Sequence, residues 1–320
     1  MRPEVTSKGQ IGQRLRSGAY RYPLSILAMA MLLYSIGPVL VQASDATGPV
    51  FSFWRLLFGV PVFALAAAGS RWSRVRNGRR PNPHGWRFWR WIALGGLTFG
   101  THQLLFFSAV KATTVTDVML IGTLQPIAAA VGALWLFGER PGLPFRAWTS
   151  VAMIGAGVVV LSGSAGPEGE PFGMAMALLN VGFYAAFFLI VKRCNTEIDI
   201  MSFLLGTLTV AALAVSVFVL AIGDPITAVT GRDLALAAAL ATTSGFLGHV
   251  LSTWAVRLIP ANVPPLLKLS QPFLAGGLAW LILGEAATLA HLVGGLITIA
   301  GVCGAVLSPS GRAFTQGRSP

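Results

Sequence analysis

Residues 124–139 read LQPIAAAVGALWLFGE, and residues 270–285 read SQPFLAGGLAWLILGE. Both stretches are apolar, both carry Gln-Pro at their second and third positions, and both close on Gly-Glu. A shift of 146 residues lays Gln125-Pro126 on Gln271-Pro272, Ala129 on Ala275, Ala133 on Ala279 and Gly138-Glu139 on Gly284-Glu285. The same shift lays Ala109-Val110-Lys111 on Ala255-Val256-Arg257, and a slightly smaller one lays Ala156-Gly157-Val158 on Ala300-Gly301-Val302. Low-complexity apolar sequence gives chance Ala and Leu matches. It does not readily give Gln-Pro and Gly-Glu at one fixed spacing. The chain is one motif written twice.

Composition says what surrounds the motif. Of 320 residues 54% are hydrophobic and 11% charged, and the mean hydropathy is +0.71. A soluble domain carries about a quarter charged residues. A helix crosses the hydrocarbon layer in about 20 apolar residues. Runs of that length fall at 24–43, 49–69, 91–110, 116–137, 147–164, 172–192, 201–223, 234–257, 262–284 and 288–307. These ten spans predict an all-α integral membrane protein, because a helix satisfies its own backbone groups in lipid. The breaks between them are polar, Gly or Pro clusters such as SDATG, ERPGLP and IPANVPP.

The net charge of +12 raises the question of nucleic acid, and its distribution answers it. With the N-terminus in the cytoplasm, 19 of the 23 Lys and Arg fall in cytoplasmic segments and two, Lys111 and Arg232, in outer loops. That is the positive-inside bias of a polytopic protein, with both termini cytoplasmic in the cell (inner) membrane. Nucleic acid is not an expected partner. Trp86, Phe88, Trp89 and Trp91 at the start of the third span read as an interfacial aromatic belt. The two cysteines, Cys194 and Cys303, make neither a disulfide framework nor a metal pattern. The first apolar run is too long for an ordinary signal-peptide core.

Each half holds five spans, an odd number, so the second half enters the membrane from the opposite side. The expected organisation is a basic cytoplasmic tail (1–23), a first five-helix repeat (24–164), an outer linker (165–171), an inverted second repeat (172–308) and a cytoplasmic tail (309–320). Inverted repeats place a substrate site near the midplane and allow alternating access. This 5+5 pattern resembles the EamA-type permeases of the drug/metabolite transporter superfamily. The residues that carry the resemblance are PVFSFWRLLFG at 49–59, leading from Pro49 to Arg55, then Pro126, Pro272 and the two Gly-Glu corners. It covers about 285 of 320 residues and implies a fold and a transport class. It says little about substrate, since the family is linked to amino acids and other metabolites. The second half departs from the first in lacking a counterpart to Arg55, where the shifted position is Met201.

Ionisable residues inside a membrane usually face a cavity or a partner. Arg55 and Lys268 each lie six residues inside a span end, about 9 Å deep. Either could snorkel, and Arg55 is grouped with the structural positions. Lys268, Gln271, Pro272, Ala275 and Ala279 share one helical face. Pro272 has no N–H, so the carbonyl of Lys268 loses its helical partner. Pro126 does the same to Gly122, with Gln125 beside it. His102 and His249 near mid-depth are candidates for proton coupling or for bonding a neighbouring helix. Tyr34, Asn180 and Tyr184 offer hydroxyl, amide and aromatic surface, and Trp280 offers apolar wall. Asp117 reads as a helix N-terminal acid or a partner for Lys111. Glu139 and Glu285 read as gate or helix-end residues.

The sequence has no phosphate loop GxxxxGK[ST], HExxH or GxSxG pattern. No catalytic residue, cofactor or metal is expected. The expected function is a secondary transporter of a small polar metabolite, amino-acid-like and exported, with proton coupling open. Its partners would be that substrate and the lipid bilayer, and a homodimer is allowed. Two other readings stand beside it. An exchanger of phosphorylated or nucleotide-linked substrates would want several cations in its cavity. A non-transporting scaffold or lipid-binding protein would want a closed apolar interior.

Overall fold

The structure is a computed structural model that describes residues 21–76, 86–137, 142–163, 171–194, 200–256 and 267–308. Among these residues it is all helical. The elements are α1 (Arg21–Gln42), α2 (Gly48–Arg76), α3 (Trp86–Ala112), α4 (Val115–Gly122), α5 (Gln125–Phe137), α6 (Leu143–Gly163), α7 (Pro171–Cys194), α8 (Ile200–Ile222), α9 (Gly231–Thr242), a π-helical segment (Thr243–Gly248), α10 (His249–Val256), α11 (Gln271–Leu283) and α12 (Leu289–Leu307). Seven helical stretches among the described residues are long and apolar enough to cross a membrane, and three more are shorter and apolar.

The fourth and ninth apolar runs, each read as a span interrupted around its proline, are both broken. The first breaks at Thr123-Leu124 between α4 and α5, just ahead of Gln125-Pro126. The second breaks at Leu269-Ser270, between a short turn at Leu267-Lys268 and α11. The two breaks are equivalent under the 146-residue shift. Proline supplies no N–H for the preceding turn and fixes φ, so each break has the same covalent cause. The eighth run is interrupted as well, by the π-helical turn between α9 and α10. Gly284 ends α11 in the left-handed region at φ 75°, which glycine adopts without steric cost. Gly138 and Glu139, the matching corner of the first half, lie outside the described residues.

Packing follows the repeat. α1 packs on α11, α10 and the π turn, and its counterpart α7 packs on α5 and α3. α2 packs on α8 and α9, and its counterpart α8 packs on α2 and α3. The most extensive pairing joins α6 to α12, the last helices of the two halves. A Cβ on Gly155 would stand 2.4 Å from the Thr298 nitrogen, and one on Gly301 would stand 2.3 Å from the Ala152 nitrogen. These contacts exchange under the same 146-residue shift, 155 with 301 and 152 with 298. The smaller shift read for Ala156-Gly157-Val158 is therefore corrected: Gly155 is the equivalent of Gly301, and a Cβ on Gly157 would touch nothing. Small residues let these two backbones meet where lipid gives no hydrophobic drive to association.

Polarity is turned inside out. Leu65, Leu143, Leu161, Leu213 and Leu289 are largely exposed, whereas Ser35, Ser52, Arg55, His102, Gln103, Asn180, Thr207 and Thr298 are buried. An apolar exterior, with polar side chains held inside among the apolar core, is the distribution of a bilayer-embedded bundle. Trp89 is exposed as an interfacial aromatic would be. Phe88 is not: it sits in the core at 7% exposure, and the expected belt loses that member.

Candidate functional site

The broken helices meet at a cavity of about 170 Å³. Gly122, Gln125 and Pro126 from the first break line it, as do Lys268, Gln271 and Pro272 from the second. Tyr34, His102, Asn180, Tyr184 and His249 complete the set of lining residues that the sequence had singled out, and Arg55 joins them. Trp280 does not. It is 61% exposed on the outside of α11, because it stands one residue beyond Ala279, whose face is the buried one. The expectation that it forms cavity wall is corrected.

Two polar pairs flank the cavity, and they are related by the repeat. His102 Nδ1 of α3 bonds Asn180 Oδ1 of α7. Tyr34 of α1 bonds His249 Nδ1 of α10 at 2.8 Å. Tyr34 is the position that the shift lays on Asn180. His102 falls on Gly248, whose missing side chain leaves room for the Tyr34 ring, 3.1 Å from where a Cβ would be. The neighbouring His249 makes the bond instead. Each histidine is thus held by a helix of the opposite half.

The cations rest on two different rings of one aromatic cluster. Phe99 and His102 lie 5.7 Å apart between centroids, and His102 and Tyr184 lie 4.6 Å apart. The Arg55 guanidinium sits 5.8 Å from the Phe99 ring, and Lys268 Nζ sits 5.6 Å from the Tyr184 ring. A cation over an aromatic face is favoured by the ring quadrupole. Arg55 does not snorkel. It is 6% exposed, and its Nε and Nη1 have no hydrogen-bond partner among the described residues. Its Nη2 lies 2.9 Å from where a Cβ on Gly245 would be, so the π turn leaves space for the guanidinium. Gln103, buried beside it, likewise has an unpartnered Oε1. No Asp or Glu lines the cavity among the described residues.

Among the described residues the buried acids, with Glu285, lie at one end of the bundle. Lys111 donates to the Ser44 carbonyl, and Ser44 Oγ donates to Asp233 Oδ1 at 2.7 Å. Glu285 accepts from the Val115 N–H at 3.1 Å, so the Gly-Glu corner of the second half caps α4 of the first. Asp117 was expected to act as a helix-end acid or to pair with Lys111. It does cap α4 through Thr114, but its partner is His291 of α12, at 2.9 Å. Thr288 donates its backbone N–H to His291 Nδ1, which leaves Nε2–H to donate to Asp117. His291 carried no signal in the sequence beyond its place in a Thr-x-x-His helix start. The same end holds a second, wider cavity of about 820 Å³, bordered by Gln42, Lys111 and Glu285.

Membrane-length apolar helices around an internal cavity that carries polar side chains define a multi-pass membrane protein. The chain belongs to the EamA-like transporter family, whose profile matches residues 22–163 and 171–307. It is 30% identical over 176 residues to the uncharacterised transporter YwfM of Bacillus subtilis (strain 168), covering 53% of this chain and 55% of that protein. It is 29% identical over 101 residues to an uncharacterised transporter in the cobO 3' region of a Sinorhizobium species, covering 32% of this chain and 66% of that one. The chain thus spans between about half and two thirds of the curated relatives it matches. A crystal structure that shares 20% identity superposes with a TM-score of 0.59, covering 90% of this chain and 98% of the other, and so shares the fold.

Proposed function

We propose that this protein is a secondary transporter that carries a small, carboxylate-bearing, amino-acid-like metabolite outward by alternating access. The observation that carries the reading is the cavity at which two proline-broken helices, one from each repeat, present Gln125, Gln271 and Lys268. Unwound backbone at membrane depth is tolerated where it lines a water-filled cavity or is buried in protein. The reading includes ten spans as two inverted five-span repeats. In it α4 and α5 form one span, α9 to α10 another, and the turn at Leu267-Lys268 with α11 a third. The exchange-symmetric packing supports this. The positive-inside bias supports cytoplasmic termini in the inner membrane, which makes the end with Ser44, Lys111 and Glu285 the outer one.

Two groups of helices then move against one another. One contains α3, α4, α5 and α7; the other contains α1, α9, α10 and α11. Each draws on both halves of the sequence. Lys268 attracts the carboxylate, Gln125 and Gln271 orient the substrate by hydrogen bonds, and Tyr34 and Tyr184 form the wall. His102 and His249 are the groups through which a coupling proton would pass. The polar side chains that reach this largely apolar cavity, Arg55, His102, Gln125, Lys268 and Gln271, weigh against a scaffold with a closed apolar interior.

The test is transport of labelled metabolites by protein reconstituted in liposomes. Lys268→Ala should slow uptake of carboxylate-bearing substrates by about tenfold or more while the protein stays folded in detergent. Unchanged rates would remove Lys268 from the site.

A further inference from the structure

Burying a cation without a partner is costly, because the low-dielectric interior does not repay its lost hydration. Proteins accordingly pair buried charges or reserve them for a ligand. Arg55 is buried, two of its three nitrogens have no acceptor among the described residues, and the nearest ring offers only a cation–π contact. Lys268, half-buried, also rests on a ring. Both line one cavity, and no carboxylate among the described residues lines it with them. The site therefore holds two positive charges and lacks their complement.

The chemistry of the two cations differs in a useful way. Arg55 is a planar guanidinium fork whose two carboxylate-binding edges are Nε with Nη2 and Nη1 with Nη2, and each edge includes one nitrogen without an acceptor among the described residues. Lys268 is a point charge on a flexible stem, next to a helix break that frees backbone. They rest on different rings of one aromatic cluster, Phe99 and Tyr184, and His102 lies against both rings, so apolar surface is offered between the two charges. A ligand with an acidic group at each end of a short carbon chain satisfies every one of these features. A neutral zwitterion satisfies one cation and leaves the other bare. A cationic metabolite is repelled by both.

We infer that the substrate is a small dicarboxylate, such as an acidic amino acid or a dicarboxylic acid, with Arg55 taking one carboxylate and Lys268 the other. This rests on the transporter reading above and narrows its substrate class. It gives Arg55, grouped with the structural residues on sequence grounds, a direct role in recognition.

The decisive comparison uses glutamate and glutamine, which have nearly the same shape and differ in one carboxylate. The full-length protein is reconstituted in liposomes, and counterflow of labelled glutamate, succinate and glutamine is measured, with inorganic phosphate and chloride as unlabelled competitors. Glutamate or succinate should move faster than glutamine by about tenfold or more. Arg55→Gln should remove that preference, and Arg55→Lys, which keeps the charge but not the fork, should restore part of it. Size-exclusion profiles and thermal melts in detergent show whether each variant folds; if Arg55→Gln does not, the Arg55→Lys variant and the wild-type selectivity still decide. Glutamine moving as fast as glutamate overturns the inference and leaves the transporter reading standing. Competition by phosphate or chloride alone, with neither dicarboxylate moving, also overturns it. If no compound moves under any gradient, the transporter reading falls with it.

Discussion

Asp117 is the residue whose environment is most fully specified. It accepts from Thr113, Thr114 and His291 and is 1% exposed. Removing its carboxylate strands the His291 N–H and leaves the Thr113 and Thr114 hydroxyls without their acceptor. Asp117→Ala should destabilise the fold by about 2 kcal/mol, read as a lowered thermal melt in detergent, and leave the transport rate per folded molecule unchanged. At this scale the sequence was legible where chemistry stands out against lipid. Arg55, His102, Asn180 and Lys268 drew attention as polar residues in apolar runs, and all line the cavity. It was illegible where direction matters. Trp280 and Ala279 are neighbours in sequence, and only the bundle's geometry says that one faces lipid and the other a helix. His291 was missed because a histidine next to a helix start has many partners open to it, and its actual partner is 174 positions away.

The elements raise a different question: why helices that could run straight are broken twice at one repeat position. Pro272 lies in the first turn of α11, where a missing N–H costs little. Pro272→Ala should therefore change stability by less than about 1 kcal/mol. It should slow transport, because the Lys268 carbonyl then gains a helical donor and the break closes. A transport assay beside a detergent melt separates the two effects. The crossing of α6 and α12 should respond in the opposite way. Gly301→Val puts side-chain atoms into the backbone of Ala152 and should cost about 2–3 kcal/mol, visible as lost yield and a lower melt. The breaks were readable from Gln-Pro alone. The crossing was not: the apolar glycines there matched at two registers, and only contact between backbones chose Gly155 over Gly157. The π turn had no sequence signal; in the fold it sets Gly245 against the Arg55 guanidinium, a neighbour far off in sequence.

For the molecule, the repeat in sequence differs from the grouping in space. Two halves were legible because Gln-Pro and Gly-Glu recur at one spacing. That helices of the two halves interlock, α3 with α7 and α1 with α10 and α11, was not, since it depends on packing across the repeat. If the groups rock about the cavity, the bonds that join them at the outer end must break during the cycle. Lys111 belongs to α3 in one group, and the Ser44 carbonyl that it bonds follows α1 in the other. Asp45, exposed and next to Ser44, gives a reagent access. Asp45→Cys and Lys111→Cys, placed in a chain whose two native cysteines have become Cys194→Ser and Cys303→Ala, should be joined by a short bis-thiosulfonate. Joined, the outer end stays shut and counterflow stops; a reductant that releases the link should restore it. Each single cysteine treated alike should keep its transport. Transport that persists through a complete cross-link would mean that these helices do not part there, and the moving boundary would have to lie elsewhere in the bundle.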